Sequence, residues 1–157
     1  MKPRLNAIRQ PIPRRRWAVV GLTGLFLACG GGSPTPAVLS VGGTYQTLVS
    51  LLPGNTCTNV TVQNNPTMVM HMPGSQSLSL THASITYQGT ISSSAAFSTT
   101  PNTISSGGSQ LTITIGGQFS LTGFDATVNV NVTQPPPACA YMVHWMGTKD
   151  GAPNTIP

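Results

Sequence analysis

Charge is what this chain has least of. Among 157 residues, seven are Lys or Arg, two are Asp or Glu, and there is no glutamate at all. Six of the basic residues (Lys2, Arg4, Arg9, Arg14, Arg15 and Arg16) crowd the first sixteen positions. Only Lys149 lies beyond them, set against Asp125 and Asp150, so residue 17 onward carries a side-chain charge of −1. The sequence pI of about 9.6 therefore describes the N-terminal segment alone. No basic patch remains to meet nucleic acid, so none is expected as a partner. Without glutamate, the carboxylate pair that hydrolyses glycosides is nearly excluded. A long hydrophobic run is missing too. The most apolar stretch, residues 17–28, is twelve residues long, whereas a spanning helix needs about twenty. Gly-x-Ser-x-Gly, the P-loop and the dinucleotide fingerprint are all absent, and without them a hydrolase, kinase or dehydrogenase has no visible machinery. The expectation is a protein that is not an enzyme.

The start of the chain is informative in another way. A basic segment ending in Arg14-Arg15-Arg16 precedes the short apolar run, and then come Ala28 and Cys29. Gly30-Gly31-Gly32-Ser33-Pro34-Thr35-Pro36 follows, a composition that makes a flexible tether and no regular element. This arrangement resembles the bacterial lipoprotein signal, in which an aliphatic and then small residues precede a lipid-accepting Cys. Phe26 and Leu27 are bulkier than that pattern usually carries. The resemblance implies a signal peptide over 1–28, Cys29 as the lipid attachment point and a tether over 29–40. It further implies a β-domain over 41–150, a short tail over 151–157 and a membrane contact through the N-terminal lipid. The implied location is the cell envelope, on the periplasmic or surface side, and the outer membrane if the cell is Gram-negative. More broadly, the chain resembles the small uncharacterised bacterial lipoproteins built as an anchor plus a β-domain.

With Cys29 assigned to the lipid, Cys57 and Cys139 remain. In an oxidising compartment the simplest expectation is a disulfide between them, closing a loop across 82 sequence positions. Such a bond would tie an early segment to the last strand, so the two ends of the fold should meet.

From residue 41 onward there is alternation and no helical period, in Thr- and Val-rich runs broken by Gly, Pro, Asn and Ser. The runs predict strands over 43–51, 58–63, 67–72, 77–82, 84–92, 95–100, 110–115, 118–122, 124–133 and 138–147. Directly opposed residues of an antiparallel pair share a face, so loop lengths can be tested by parity. Leu78, Leu80 and His82 pass to Ile85, Tyr87 and Ile91 through a two-residue Ala83-Ser84 turn. A Ser92-Ser93-Ser94 loop then keeps Ala95 and Phe97 on that face. Ile113 and Ile115 reach Phe119 and Leu121 if Gly116-Gly117-Gln118 forms a three-residue turn, and Thr122-Gly123 pairs Leu121 with Phe124. Successive short hairpins argue for an all-β antiparallel meander of 8–10 short strands closed as a small barrel, with a β-sandwich as the alternative. Gly43-Thr44-Tyr45 ahead of such a meander, with a late Cys, resembles the lipocalin-type barrel. That family carries Trp where Tyr45 stands and an Arg in the closing strand that has no counterpart in this chain. The resemblance implies a barrel interior that could hold a small apolar ligand.

Methionine and histidine form the remaining constellation. Met68, Met70 and Met72 alternate along one predicted strand, and Met142, His144 and Met146 share a face of the last. Thioether and imidazole donors suit copper, so Met70, His144 and Met146 are the candidate metal ligands. The competing expectation is that the three methionines of the earlier strand fill the core, since Met packs irregular gaps. In the last strand Cys139, Tyr141, Val143 and Trp145 form the expected inward face. His82 reads as a polar residue at a strand end. The functional expectations are thus an envelope protein with a partner-binding or structural β-domain, or a carrier of a small ligand or copper, with no other cofactor expected.

Overall fold

A computed structural model describes residues 37–157. The expected signal and Cys29 lie outside the described residues. Nine strands run in chain order: β1 Gly43–Leu51, β2 Thr67–Met70, β3 Ser77–His82, β4 Ile85–Ile91, β5 Ala96–Thr99, β6 Asn102–Ser106, β7 Ser109–Phe119, β8 Gly123–Gln134 and β9 Cys139–Lys149. All pairings are antiparallel, in the order β5-β4-β3-β2-β1-β9-β8-β7-β6, and an additional β5–β7 pairing closes the sheet. The result is an eight-stranded barrel with β6 as one extra strand. Closure removes the edges of the eight barrel strands, which a nearly uncharged surface would leave unprotected, while β6, paired only with β7, keeps one edge.

The β3–β4 hairpin follows the parity argument. Ala83-Ser84 is a two-residue turn pairing His82 with Ile85 and Leu80 with Tyr87. Both turn residues have positive φ, 47° and 66°, the conformation that matches strand twist. The β4–β5 connection keeps Ile91 and Phe97 on one face as expected, but it pairs Ile91 with Phe97, where a Ser92-Ser93-Ser94 loop would pair it with Ala95. The connection is longer because Ala95 at φ 64° takes the left-handed position after a turn closed by Ala95 N to Ser92 O.

The glycine turn expected at 116–118 does not exist. Gly116 and Gly117 lie mid-strand in β7, opposite Thr127 and Ala126 on β8 and opposite Ser98 and Phe97 on β5. A Cβ on Gly117 would collide with the Asp125 carbonyl and with Ala126, so glycine lets β7 bend tightly against β8. The first half of β7 pairs with β6 and the second half with β5. Between them, the Ile115 N–H donates to the buried Thr99 Oγ1 at 2.9 Å, which satisfies the ladder where two strands diverge. The expected runs 110–115 and 118–122 are therefore one strand. Leu121 is exposed in a turn closed by Ser120 N to Gly123 O, and Phe119 is the residue that faces Phe124. The run 58–63 is not a strand. It belongs to a strap, residues 52–66, between β1 and β2.

The two barrel ends differ. At the end where β7 turns into β8, Tyr45, Phe97, Phe119 and Phe124 pack with ring centroids 4.8 to 6.3 Å apart. The described chain enters at this end, and the C-terminal segment docks there through paired backbone bonds between Ser40 and Thr155. Asn154 lies buried beneath it. The Tyr45 hydroxyl is 2.7 Å from the Val41 carbonyl and 2.7 Å from Asn154 Oδ1, donating to one of the two at a time. Burial pushes the Tyr45 phenol up to about 12 from 10.0. Folded Tyr45 thus holds its proton more tightly than unfolded Tyr45. Its contribution is complete below pH 10 and is lost as the pH rises through 12, roughly 2–3 kcal/mol across that window. Urea midpoints measured from pH 9 to pH 12 should fall accordingly, and Tyr45→Phe should flatten the decline.

Candidate functional site

At the opposite end, β1 outruns β2, and the strap crosses the opening. It is fixed to β9 by Leu52 N to Met142 O, Thr56 N to Ala140 O, Ala140 N to Thr56 Oγ1 and the Cys57–Cys139 disulfide. On the β1 side, Asn64 Oδ1 accepts the Val49 N–H at 2.8 Å, replacing the ladder partner that short β2 cannot supply. The cysteine pairing is thus as expected, and β1 and β9 are neighbours, so the early and late segments meet.

Under the strap lies a cavity of about 310 Å³. Its walls are inward-facing positions of the barrel, chiefly Trp145, Tyr87, Tyr141, Ile113, Val128 and Val130, and its roof is Thr61, Val62, Gln63 and Asn65. No charged side chain lines it. The expected inward face of β9 is confirmed by Val143 and Trp145, both buried. A second hollow of about 630 Å³ continues past Thr61 and Tyr141 to the disulfide and Pro135–Pro137, so the cavity opens outward beside the strap.

His82 ends β3 as expected, and it is also a buried wall residue of this site. Its ring stacks on Trp145 with centroids 4.2 Å apart. Nδ1 is 2.9 Å from Thr67 Oγ1, which in turn is 2.8 Å from Thr47 Oγ1. Both threonines are buried, so the chain of three groups is sealed from solvent on that side. Burial lowers the His82 pKa. The imidazole is neutral at pH 7, and protonation works against the fold as the pH falls below 6.5. Burial also raises Tyr87, assisted by the neighbouring Tyr141, and burial alone raises Tyr141. Both phenols keep their protons and remain donors. The site can stack, bury apolar surface and donate hydrogen bonds. It contains no carboxylate. What sequence reasoning missed was the convergence of Tyr87, His82 and Trp145, because aromatic residues at inward positions read equally well as core.

The candidate metal set is not brought together. Val69, next to Met70, pairs with Gly43 at the start of β1, while His144 pairs with Ser50 near its end. Those seven residues of strand separate Met70 from His144 by roughly 23 Å. Met146 faces Leu48, and His144 Nε2 is instead 2.8 Å from Asp125 Oδ2 on the outer wall. The core-filling expectation for Met68, Met70 and Met72 is also overturned. All three are exposed, and Thr67 and Val69 take the inward positions of β2. Comparison with protein families, curated proteins and solved structures finds no match to the chain.

Proposed function

We propose that this chain is an exported lipoprotein whose barrel is a non-catalytic carrier of a small uncharged ligand. The observation that carries the reading is the aromatic, charge-free cavity in the mouth of a closed eight-stranded barrel. Barrels of this strand number have an interior that side chains fill or that holds one small ligand, and the space beneath the strap favours the second. Trp145 and His82 offer flat faces for stacking, and Tyr87 and Tyr141 supply donors to a carbonyl or ether oxygen. A charged ligand would meet no counter-charge and would lose its hydration. Cys29 is the lipid acceptor in this reading, and the tether joins the barrel at the aromatic-filled end, leaving the strap end for exchange. The disulfide is compatible with an oxidising extracytoplasmic location. A docking role toward an envelope protein is the second reading, favoured by Leu48 and Met146, which are cross-strand neighbours and both exposed.

Native mass spectrometry of the protein purified from its own membranes in mild detergent tests the proposal. The expected species begins at an acylated Cys29, carries an intact Cys57–Cys139 bond and releases a neutral adduct on unfolding. An unacylated N-terminus elsewhere would overturn the anchor. A barrel that carries no adduct and acquires none from a panel of neutral aromatic compounds would overturn the carrier.

A further inference from the structure

All five methionines of the described domain are on its surface: Met68, Met70, Met72, Met142 and Met146 are 41% to 76% exposed. The core, by contrast, is built from Val, Leu, Ile, Ala, Phe, Tyr and Trp without a single Met. Packing therefore does not account for the use of this residue. The property Met has and Leu lacks is the thioether, a soft donor that favours monovalent d10 ions.

Three of the five form one row. Met68 and Met70 point outward from β2, and Met72 follows just past its end in the same alternation. Successive members of such a row are about 6.6 Å apart along the chain. Each side chain has three rotatable bonds, so two neighbouring sulfurs can close on one ion. Met70 and Met72 also line one surface groove of about 770 Å³, with Ser79, Gln88 and Thr90 opposite. That groove has no charged side chain, so hard dications find no carboxylate in it. His71 lies between the two methionines, but its ring is already engaged. Nε2 is 2.9 Å from the Ser75 carbonyl, and Nδ1 accepts the Val41 N–H at 3.5 Å.

We propose that Met70 and Met72, with Met68 adjoining, form a surface thioether site for a soft monovalent metal ion, Cu(I) or Ag(I). The site is separate from the strap-end cavity and stands whether or not that cavity binds a ligand. It differs from the set Met70, His144 and Met146, which the register keeps apart.

Silver ion is the probe, because it needs no reductant. The acylated protein with its disulfide intact, in chloride-free buffer, is titrated with Ag⁺ while the methionine ε-methyl resonances are followed. The expected result is a saturable shift of the Met70 and Met72 methyls, a smaller one for Met68 and none for Met142 or Met146. Met70→Leu/Met72→Leu should weaken Ag⁺ binding at least tenfold, and Met142→Leu/Met146→Leu should leave it unchanged. These positions are exposed and the exchanges conserve volume, so thermal midpoints should not move, and the methyl shifts report on the wild-type protein in any event. No saturable shift, equal shifts at all five methionines, or binding retained after Met70→Leu/Met72→Leu would overturn the site.

Discussion

Asn154→Ala is expected to destabilise the domain by roughly 2–3 kcal/mol, although it removes only a side chain three residues before Pro157. Asn154 is 4% exposed. Its Nδ2 donates to the Ser120 carbonyl at 2.7 Å, and its Oδ1 accepts from Lys149 Nζ at 2.8 Å beside the Tyr45 hydroxyl. Truncation leaves the part-buried Ser120 carbonyl and the Lys149 ammonium without this partner; such a loss costs about 1–3 kcal/mol where the group is shut off from water, and less at Lys149, where water can replace the acceptor. Burial lowers the Lys149 pKa, but the side chain is only partly covered, so most of the loss falls on the Ser120 side of the network. Tyr45 keeps its second acceptor at Val41. The backbone bond from Asn154 N to Leu121 O and the Ser40–Thr155 pairing should loosen with the side chain gone. Urea unfolding and limited proteolysis of residues 151–157 measure both effects. Thr155→Ala, whose pairing is through its backbone, should cost under about 0.5 kcal/mol by the same assay.

Removing the disulfide is the second large perturbation. Cys57→Ser/Cys139→Ser opens a loop spanning 82 positions, for which chain entropy gives about 4–5 kcal/mol. Measured values run lower, so a loss of roughly 2–5 kcal/mol is expected, with a fall in Tm of about 10–20 °C. The effect on the site should be larger than the effect on the fold. Apart from the disulfide, the β9 side of the strap is held by the backbone bonds of Leu52 and Thr56 and the Thr56 hydroxyl. Amide exchange should therefore rise most over residues 52–66 and least over β7 and β8, which pair along nearly their whole length. Uniform acceleration across the barrel would mean that the bond stabilises the whole fold and does not specifically fix the roof.

The barrel was legible because alternation and parity survive in a sequence with almost no charge. The bounds of β1 and β3, the Ala83-Ser84 turn and the Cys57–Cys139 pair all follow from local chemistry. Three features were hidden for physical reasons. Gly116-Gly117 carries the same signal whether it turns a hairpin or permits a close approach inside a strand, and only the collision of a Cβ on Gly117 with the Asp125 carbonyl and Ala126 distinguishes the two. Strand β6, Asn102–Ser106, follows Pro101 and holds one apolar residue, Ile104, so it lacks the periodic pattern. The outward methionines invert the usual assignment, since on β2 the inward positions are a threonine and a valine. The cavity was invisible because Tyr87, Tyr141 and Trp145 sit where filled cores also carry aromatics, and only their position beneath the strap distinguishes a wall from a plug.

Trp145 is the only tryptophan after Trp17, so in a Trp17→Phe background its fluorescence reports on the cavity wall alone. Titration with the neutral probe N-phenyl-1-naphthylamine is the most direct test of a ligand-binding mouth. The account predicts saturable quenching of Trp145 with matching enhancement of the probe, and loss of both when Val130→Phe fills the space. Quenching that fails to saturate, or that persists unchanged in Val130→Phe, would contradict it.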